Sequence, residues 1–195
     1  MVTQGRFYSK KKTFGYKQRD EQKRKAYMDS LESVSVESRV YIDEAGVDDN
    51  EVYPYAWGEK GKRVYELKNA RRKKRLSIIS ALNNNQLQAP LVFEGTCDRE
   101  LFEAYLEEVL VPELKTNQTV IMDNASFHKN KKVKEIIEAS GCKLMYLPSY
   151  SPDLNPIEHH WSKVKTRIRQ ALAIGESDIY RAASTAFLTS PLNGI

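Results

Sequence analysis

Residues 147–161 read LPSYSPDLNPIEHHW. The first half is a loop, because prolines, serines and an Asp-Leu-Asn run punctuate it. The second half starts a helix, with Asn155 at the cap, Pro156 at the first helical position and Glu158 three after the cap, the form of a capping box. From Pro156 to about Ala173, Ile157, Trp161, Val164 and Ile168 recur at helical spacing and make a buried stripe, while Glu158, Ser162, Lys165 and Arg169 share an adjacent face. A carboxylate and two cations on one face suit either a cleft or an exposed ladder of i,i+3 and i,i+4 pairs. Periodicity leaves both open, and a capping-box glutamate needs no chemical role.

Upstream, two short apolar runs each end in an acid. VYIDEAG (40–46) reads as a buried strand ending at Asp43, and TVIMDNAS (119–126) repeats the form around Asp123. Between them, VYPYAWGEKGKRVYEL (52–67) predicts a hairpin about its GEKG turn, RLSIISALNNN a strand ending in an asparagine cluster, and APLVFEG a further strand. Asp98 caps a helix whose Leu101, Phe102, Tyr105, Leu106, Val109 and Leu110 share one face. KVKEIIEASG is a short helix stopped by Gly141, KLMYLP a strand, and Ser177 to Leu188 a last helical piece. Strands first and then strands alternating with helices predict an α/β fold, a mixed sheet with helices on its faces.

The 195 residues suffice for one mid-sized domain. Residues 1–38 are polar and charged, with a helix around Asp20–Leu31 and no clear core, and read as a basic arm or linker; residues 39–195 form the domain. No run approaches the ~20 apolar residues of a membrane span, and MVTQGRFYSKKK lacks a signal-peptide core, so a cytoplasmic protein is expected. Cys97 and Cys142 match no disulfide or zinc pattern with His128, His159 and His160. Lys and Arg exceed Asp and Glu by 31 − 26 = 5, with pI near 9.0. The basic residues cluster at 10–12, 23–25, 71–75, 129–134 and 163–169. One such cluster is a solvated face; five around an acidic site resemble a surface that tracks phosphates.

Two aspartates on neighbouring strands repel each other and lose hydration unless a cation neutralises them. Their hard oxygens suit Mg²⁺ or Mn²⁺, and two such ions ~4 Å apart serve in-line phosphoryl displacement. A strand-end aspartate also caps turns, and Asp123-Asn124 is equally readable as an Asx-turn.

The motifs in combination go further. LPSYSPDLNPIEHHW closely resembles the signature around the third catalytic acid of Tc/mariner-superfamily DDE transposases, including bacterial insertion-sequence members. VIMDNASFHK resembles that family's second-acid motif and YIDEAG its first, and 34 residues separate Asp123 from Glu158, a spacing characteristic of the group. The arm KKTFGYKQRDEQKR resembles the linker before the catalytic domain of bacterial members.

The resemblance implies an RNase H-like, retroviral-integrase-like fold, with Asp43 on the first strand, Asp123 at the end of the fourth and Glu158 on a helix beside them. These three would be the catalytic acids and the ligands of two Mg²⁺ or Mn²⁺ ions. The implied activity is cut-and-paste transposition: hydrolysis at transposon ends, then attack of the freed 3′-hydroxyl on target DNA, usually at TA. A homodimer in the synaptic complex and a place in the bacterial cytosol, at the nucleoid, are the family expectation. Asn124 and His128 fit the second motif as residues that position water, the scissile phosphate or an aspartate, or as structural residues. Lys165, Arg167 and Arg169 are phosphate-contact candidates, with the basic run at 71–75 less defined. Glu44 and Asp153 adjoin motif positions without being primary ligands; Tyr150, Ser151 and Pro152 shape the loop; Trp57 and Trp161 read as core. Family members also carry an N-terminal helix-turn-helix for the terminal repeats, and residues 1–38 show no such paired helices. That part would be separately encoded and joined by frameshifting, lost, or removed. The competing readings are a catalytically silent or truncated DNA-binding regulator of transposase ancestry, and another RNase H-like nuclease such as a junction resolvase, which residues 147–161 disfavour.

Overall fold

The computed structural model describes residues 17–48, 59–63, 65, 75–176 and 178–188. Most of the expected hairpin, together with Trp57 and the basic residues 71–74, lies outside the described residues. Five strands form one sheet: β1 (Arg39–Asp48), β2 (Arg75–Asn83), β3 (Gln86–Glu94), β4 (Thr119–Met122) and β5 (Lys143–Tyr146), in the order β3-β2-β1-β4-β5. β3, β2 and β1 are antiparallel, whereas β4 and β5 run parallel to β1. β2 is buried along nearly its whole length, as a strand covered on both faces must be.

The asparagine cluster is divided: Asn83 ends β2, and the next two form the turn. Asn84 and Asn85 take φ of 49° and 62°, the two left-handed positions of a tight hairpin turn, which asparagine tolerates. β3 therefore starts at Gln86, earlier than the apolar run suggested. Its pairing with β2 shifts between Ile79 and Ala81, where Ala89 has φ 49° and Pro90 follows. A bulge there spares the sheet a missing proline N–H.

Helices cover both faces. On one lie α1 (Glu21–Glu32), α4 (Ile157–Ala173) and α5 (Ile179–Leu188); on the other α2 (Arg99–Tyr105), continued by a wide turn at Leu106–Leu110, and α3 (Lys131–Ala139). The predicted stripe of α4 is the buried one: Ile157, Trp161, Val164 and Ile168 pack on Tyr41, Ala45 and Ile121. Phe102, Leu106 and Leu110 meet Val40, Ile42 and Val120 on the other side. Both cysteines are free thiols. No helix among the described residues is long and apolar enough to cross a membrane.

The helix inside the expected arm is part of this body. Asp20 caps α1 by accepting from Gln22 and Lys23 N–H, and Tyr27 and Leu31 enter the core. Arg39 of β1 donates to the carbonyls of Leu31 and Val34 at its other end. Between these ends Arg24 grips Asp153 with two hydrogen bonds of 3.1 and 2.7 Å. Arg24 is buried and Asp153 half exposed, so solvent screens the pair in part. Arg24→Ala is expected to cost on the order of 1–2 kcal/mol, read as a lower urea midpoint at unchanged m-value.

Candidate active site

β1 and β4 part company at one level of the sheet. Their parallel pairing ends at Tyr41↔Ile121, and Asp43 and Asp123 each stand two residues further on. β4 stops there, so Asp123 follows its end as predicted. β1 does not: it stays paired with β2 through Asp48↔Arg75, so Asp43 is a mid-strand residue opposite Ser80 rather than a strand end. The antiparallel partner on one side holds β1 extended while the opposite side opens. A crevice beyond the carboxyl ends of parallel strands is the usual ligand position in such sheets.

The crevice is a cavity of about 550 Å³ whose walls include Asp43, Asp123, Asn124, Tyr150, Asn155 and Glu158. The three acids of the three motifs thus share one space. Asp43 Oδ1 accepts from Glu44 N–H at 2.9 Å, and Oδ2 from Trp161 Nε1 at 3.2 Å. Burial, joined by the negative charge of Glu158, pushes the Asp43 carboxyl up to about 7. Asp123 is the opposite case. Its burial also favours the neutral acid, but hydrogen bonds from His128 and from Ala125 N–H outweigh it and hold the carboxyl below its usual range. The 2.9 Å bond from Ala125 N–H is the Asx-turn foreseen as the ordinary reading; the turn and the cleft position coexist.

His128 is nearly inaccessible and sits between two acids, with Nδ1 2.5 Å from Asp123 Oδ1 and Nε2 3.0 Å from Glu44 Oε1. Phe102 and Phe127 pack on its ring. Burial opposes its charge, but the two carboxylates prevail and lift it to about 9. Because this folded value exceeds the ordinary ~6.5, the stability it lends is complete below that pH and lost as pH rises through about 9. Urea midpoints from pH 6 to 9.5 are therefore expected to fall in the native chain. In His128→Asn they should start lower and lose the fall through about pH 9, keeping only the earlier fall near pH 7 that the Asp43 carboxyl contributes.

Glu158 stands in the first turn of α4, but the capping box is not formed. Asn155 Oδ1 has no partner, and the Asn155 N–H donates to Pro152 O at 2.9 Å. Asn124 donates to Ser149 Oγ at 2.9 Å, tying the second motif to the loop of the third. Lys165, Arg167 and Arg169 are absent from the cavity wall, and Arg167 donates to Ala186 O in α5. Trp161 is buried core, as expected, and its hydrogen bond to Asp43 is an addition. A signal for it existed, since Trp161 follows Glu158 by one helical turn. Glu44 anchors His128 from the opposite face of β1, which the alternation of Asp43 and Glu44 permits.

Among the described residues no three His, Cys, Asp or Glu side chains stand close enough together to hold a metal ion as placed. The donor set still suits a hard divalent cation: it is all carboxylate oxygen, and Asp43 carries a repulsion from Glu158 that a cation would relieve.

Comparison with known proteins identifies the fold and the family. The strand transfer complex of Mos1 matches with TM-score 0.67 at 16% identity, over 92% of this chain and 56% of that one. The mariner Mos1 paired end complex with Mg matches with TM-score 0.63 at 15% identity, over 94% and 64%. The catalytic domain of Mos1 mariner transposase gives 0.57 at 16% identity, over 89% and 82%, so the sheet and its helices are the RNase H-like fold of that domain. In sequence, the transposable element Tcb1 transposase of Caenorhabditis briggsae is 29% identical over 102 residues, 50% of this chain and 37% of that protein. The chain thus spans well under half the length of this relative. The pattern of the DDE superfamily endonucleases matches residues 38–178, a stretch holding β1, β4, the start of α4 and all three acids, and the chain belongs to that family.

Proposed function

We propose that this chain is the catalytic domain of a cut-and-paste DNA transposase. It would cleave DNA strands at transposon ends and transfer them into target DNA, with Asp43, Asp123 and Glu158 holding two Mg²⁺ or Mn²⁺ ions. The observation that carries the reading is the shared cavity: three acids far apart in sequence line one crevice, at the level where β1 and β4 separate. Bound there, the ions would supply Lewis-acid activation of the attacking oxygen and stabilise the leaving one.

The chain's own residues do the positioning. Trp161 fixes Asp43 from the α4 side through a 3.2 Å hydrogen bond. His128, clamped by Glu44, fixes Asp123 from the α3 side through Oδ1. Each aspartate is thus braced from a different face of the sheet, which holds the pair to the narrow tolerance that in-line displacement requires. One structure similar to this chain is the Mos1 transposase paired-end complex with left transposon end, so DNA is the proposed substrate. A dimer, TA targets and a bacterial cytosolic location belong to the same proposal.

Nicking of supercoiled plasmid by the purified chain tests the reading. Relaxation that needs Mn²⁺ or Mg²⁺ and disappears in Asp123→Asn is the expected result. Tight DNA binding with no nicking would overturn it and favour the silent regulator.

A further inference from the structure

Among the described residues, Asn124 Oδ1 and Asn155 Oδ1 are buried acceptors with no hydrogen-bond partner, and both belong to residues lining the acid cavity. Asn155 is the sharper case. It is 4% exposed, and it stands where an asparagine ordinarily caps the following helix. It does not do so: Glu158 N–H turns to the Asn155 backbone carbonyl at 3.3 Å, and the side-chain oxygen accepts nothing. A residue that forgoes its cap and buries an unsatisfied acceptor is costly on both counts. Such an arrangement persists where something absent from the free chain supplies the donor.

The donor can be narrowed by chemistry. A DNA phosphodiester offers acceptor oxygens only. The hydrogen donor that the reaction itself brings among the three acids is the attacking O–H, of water in strand cleavage and of the 3′-hydroxyl in strand transfer. Resting on the function proposed above, we infer that Asn155 is a catalytic residue whose carboxamide oxygen accepts a hydrogen bond from the attacking hydroxyl and aims it at phosphorus. In that step a lone pair of the attacking oxygen forms the new P–O bond. The bond to the leaving 3′-oxygen breaks with its electron pair, and the attacking proton departs to water. Asn155 orients and does not take the proton, since a carboxamide is no base near neutral pH.

Two variants and a competing nucleophile test this on the plasmid assay, with glycerol added so that water and alcohol attack compete. Asn155→Ala is expected to slow nicking roughly 10- to 100-fold, with DNA affinity within about two-fold of the native chain. Its Tm should be unchanged or higher, because the orphaned acceptor is gone. The ratio of glycerol-ester to free 5′-phosphate ends should shift, because a nucleophile no longer aimed is chosen less selectively. Asn155→Ser keeps a hydroxyl able to cap α4 but too short to reach the crevice, and it should show the same loss. Nicking within two-fold of native, a Tm that falls in step with activity and is restored together with it by Asn155→Ser, or an unchanged product ratio would each overturn the inference. If the native chain does not nick at all, the functional reading fails instead.

Discussion

Glu158→Gln is expected to reduce nicking by about 10³-fold and, in the same molecule, to make the fold more stable at pH 8. Both results follow from one charge. Glu158 lies across the crevice from Asp43, and its negative field adds to burial in lifting the Asp43 carboxyl to about 7. The raised value has a definite sign in the pH profile. Stability is fully present below the ordinary aspartate range and lost as pH rises through about 7, where the buried carboxyl must ionise beside Glu158. The neutral amide removes the repulsion, so Asp43 ionises at lower pH and the loss shrinks. A gain on the order of 1 kcal/mol at pH 8, and little at pH 5, is expected from thermal unfolding at the two pH values. Added Mn²⁺ should raise the Tm of the native chain more than that of the variant, since a cation stabilises what binds it. A site that becomes more stable as it loses activity is a functional site. Equal or lower stability of Glu158→Gln at pH 8 would mean that Glu158 does not face Asp43 in solution.

The layers of the fold were legible because their signals are local. The α4 stripe of Ile157, Trp161, Val164 and Ile168 announces itself at helical spacing, and it is the buried face. Asp98 caps the helix that follows it. What failed were features that depend on distant partners. Asp43 looked like a strand end because acids and a glycine follow it, but β2 pairs on through Asp48 and keeps the strand going. The arm looked coreless because α1 has only Tyr27 and Leu31 to bury, and the groups receiving them and Arg24 lie on β1 and on Asp153, 129 positions from Arg24. Asn155 satisfied every local rule for a cap and is not one.

The acids fall between these cases. Locally, Asp123 is an Asx-turn and Glu158 an ordinary first-turn acid, and neither reading is false. Only the motifs in order assign the three residues to one site. The mutual level of Asp43 and Asp123 comes from the parallel register of β1 with β4, which no single stretch encodes. The His128 clamp needs Glu44 on one face of the sheet while Asp43 serves the other, and strand alternation provides both from adjacent residues.

Trp161 should give the largest loss of stability, and two substitutions separate its two roles. Trp161→Ala empties a position 3% exposed in the α1–α4–α5 core, among Tyr27, Ala45 and Val164. Removal of a buried aromatic costs roughly 3–5 kcal/mol, a large share of the stability of a domain this size. Trp161→Phe keeps most of the ring volume but has no N–H for Asp43 Oδ2. At pH 5, where Asp43 is protonated, the Phe variant should therefore unfold close to the native chain, with only a small packing loss. As pH rises through about 7 the carboxylate forms without its donor, and the gap to the native chain should widen. Nicking by the Phe variant should fall about 10-fold, because Asp43 is then braced only by the Glu44 N–H. Urea unfolding of both variants at pH 5 and 8, beside the plasmid assay, separates the contributions. A Phe variant whose stability gap does not change with pH would show that the indole N–H does not hold the ionised carboxylate, and that Trp161 serves packing alone.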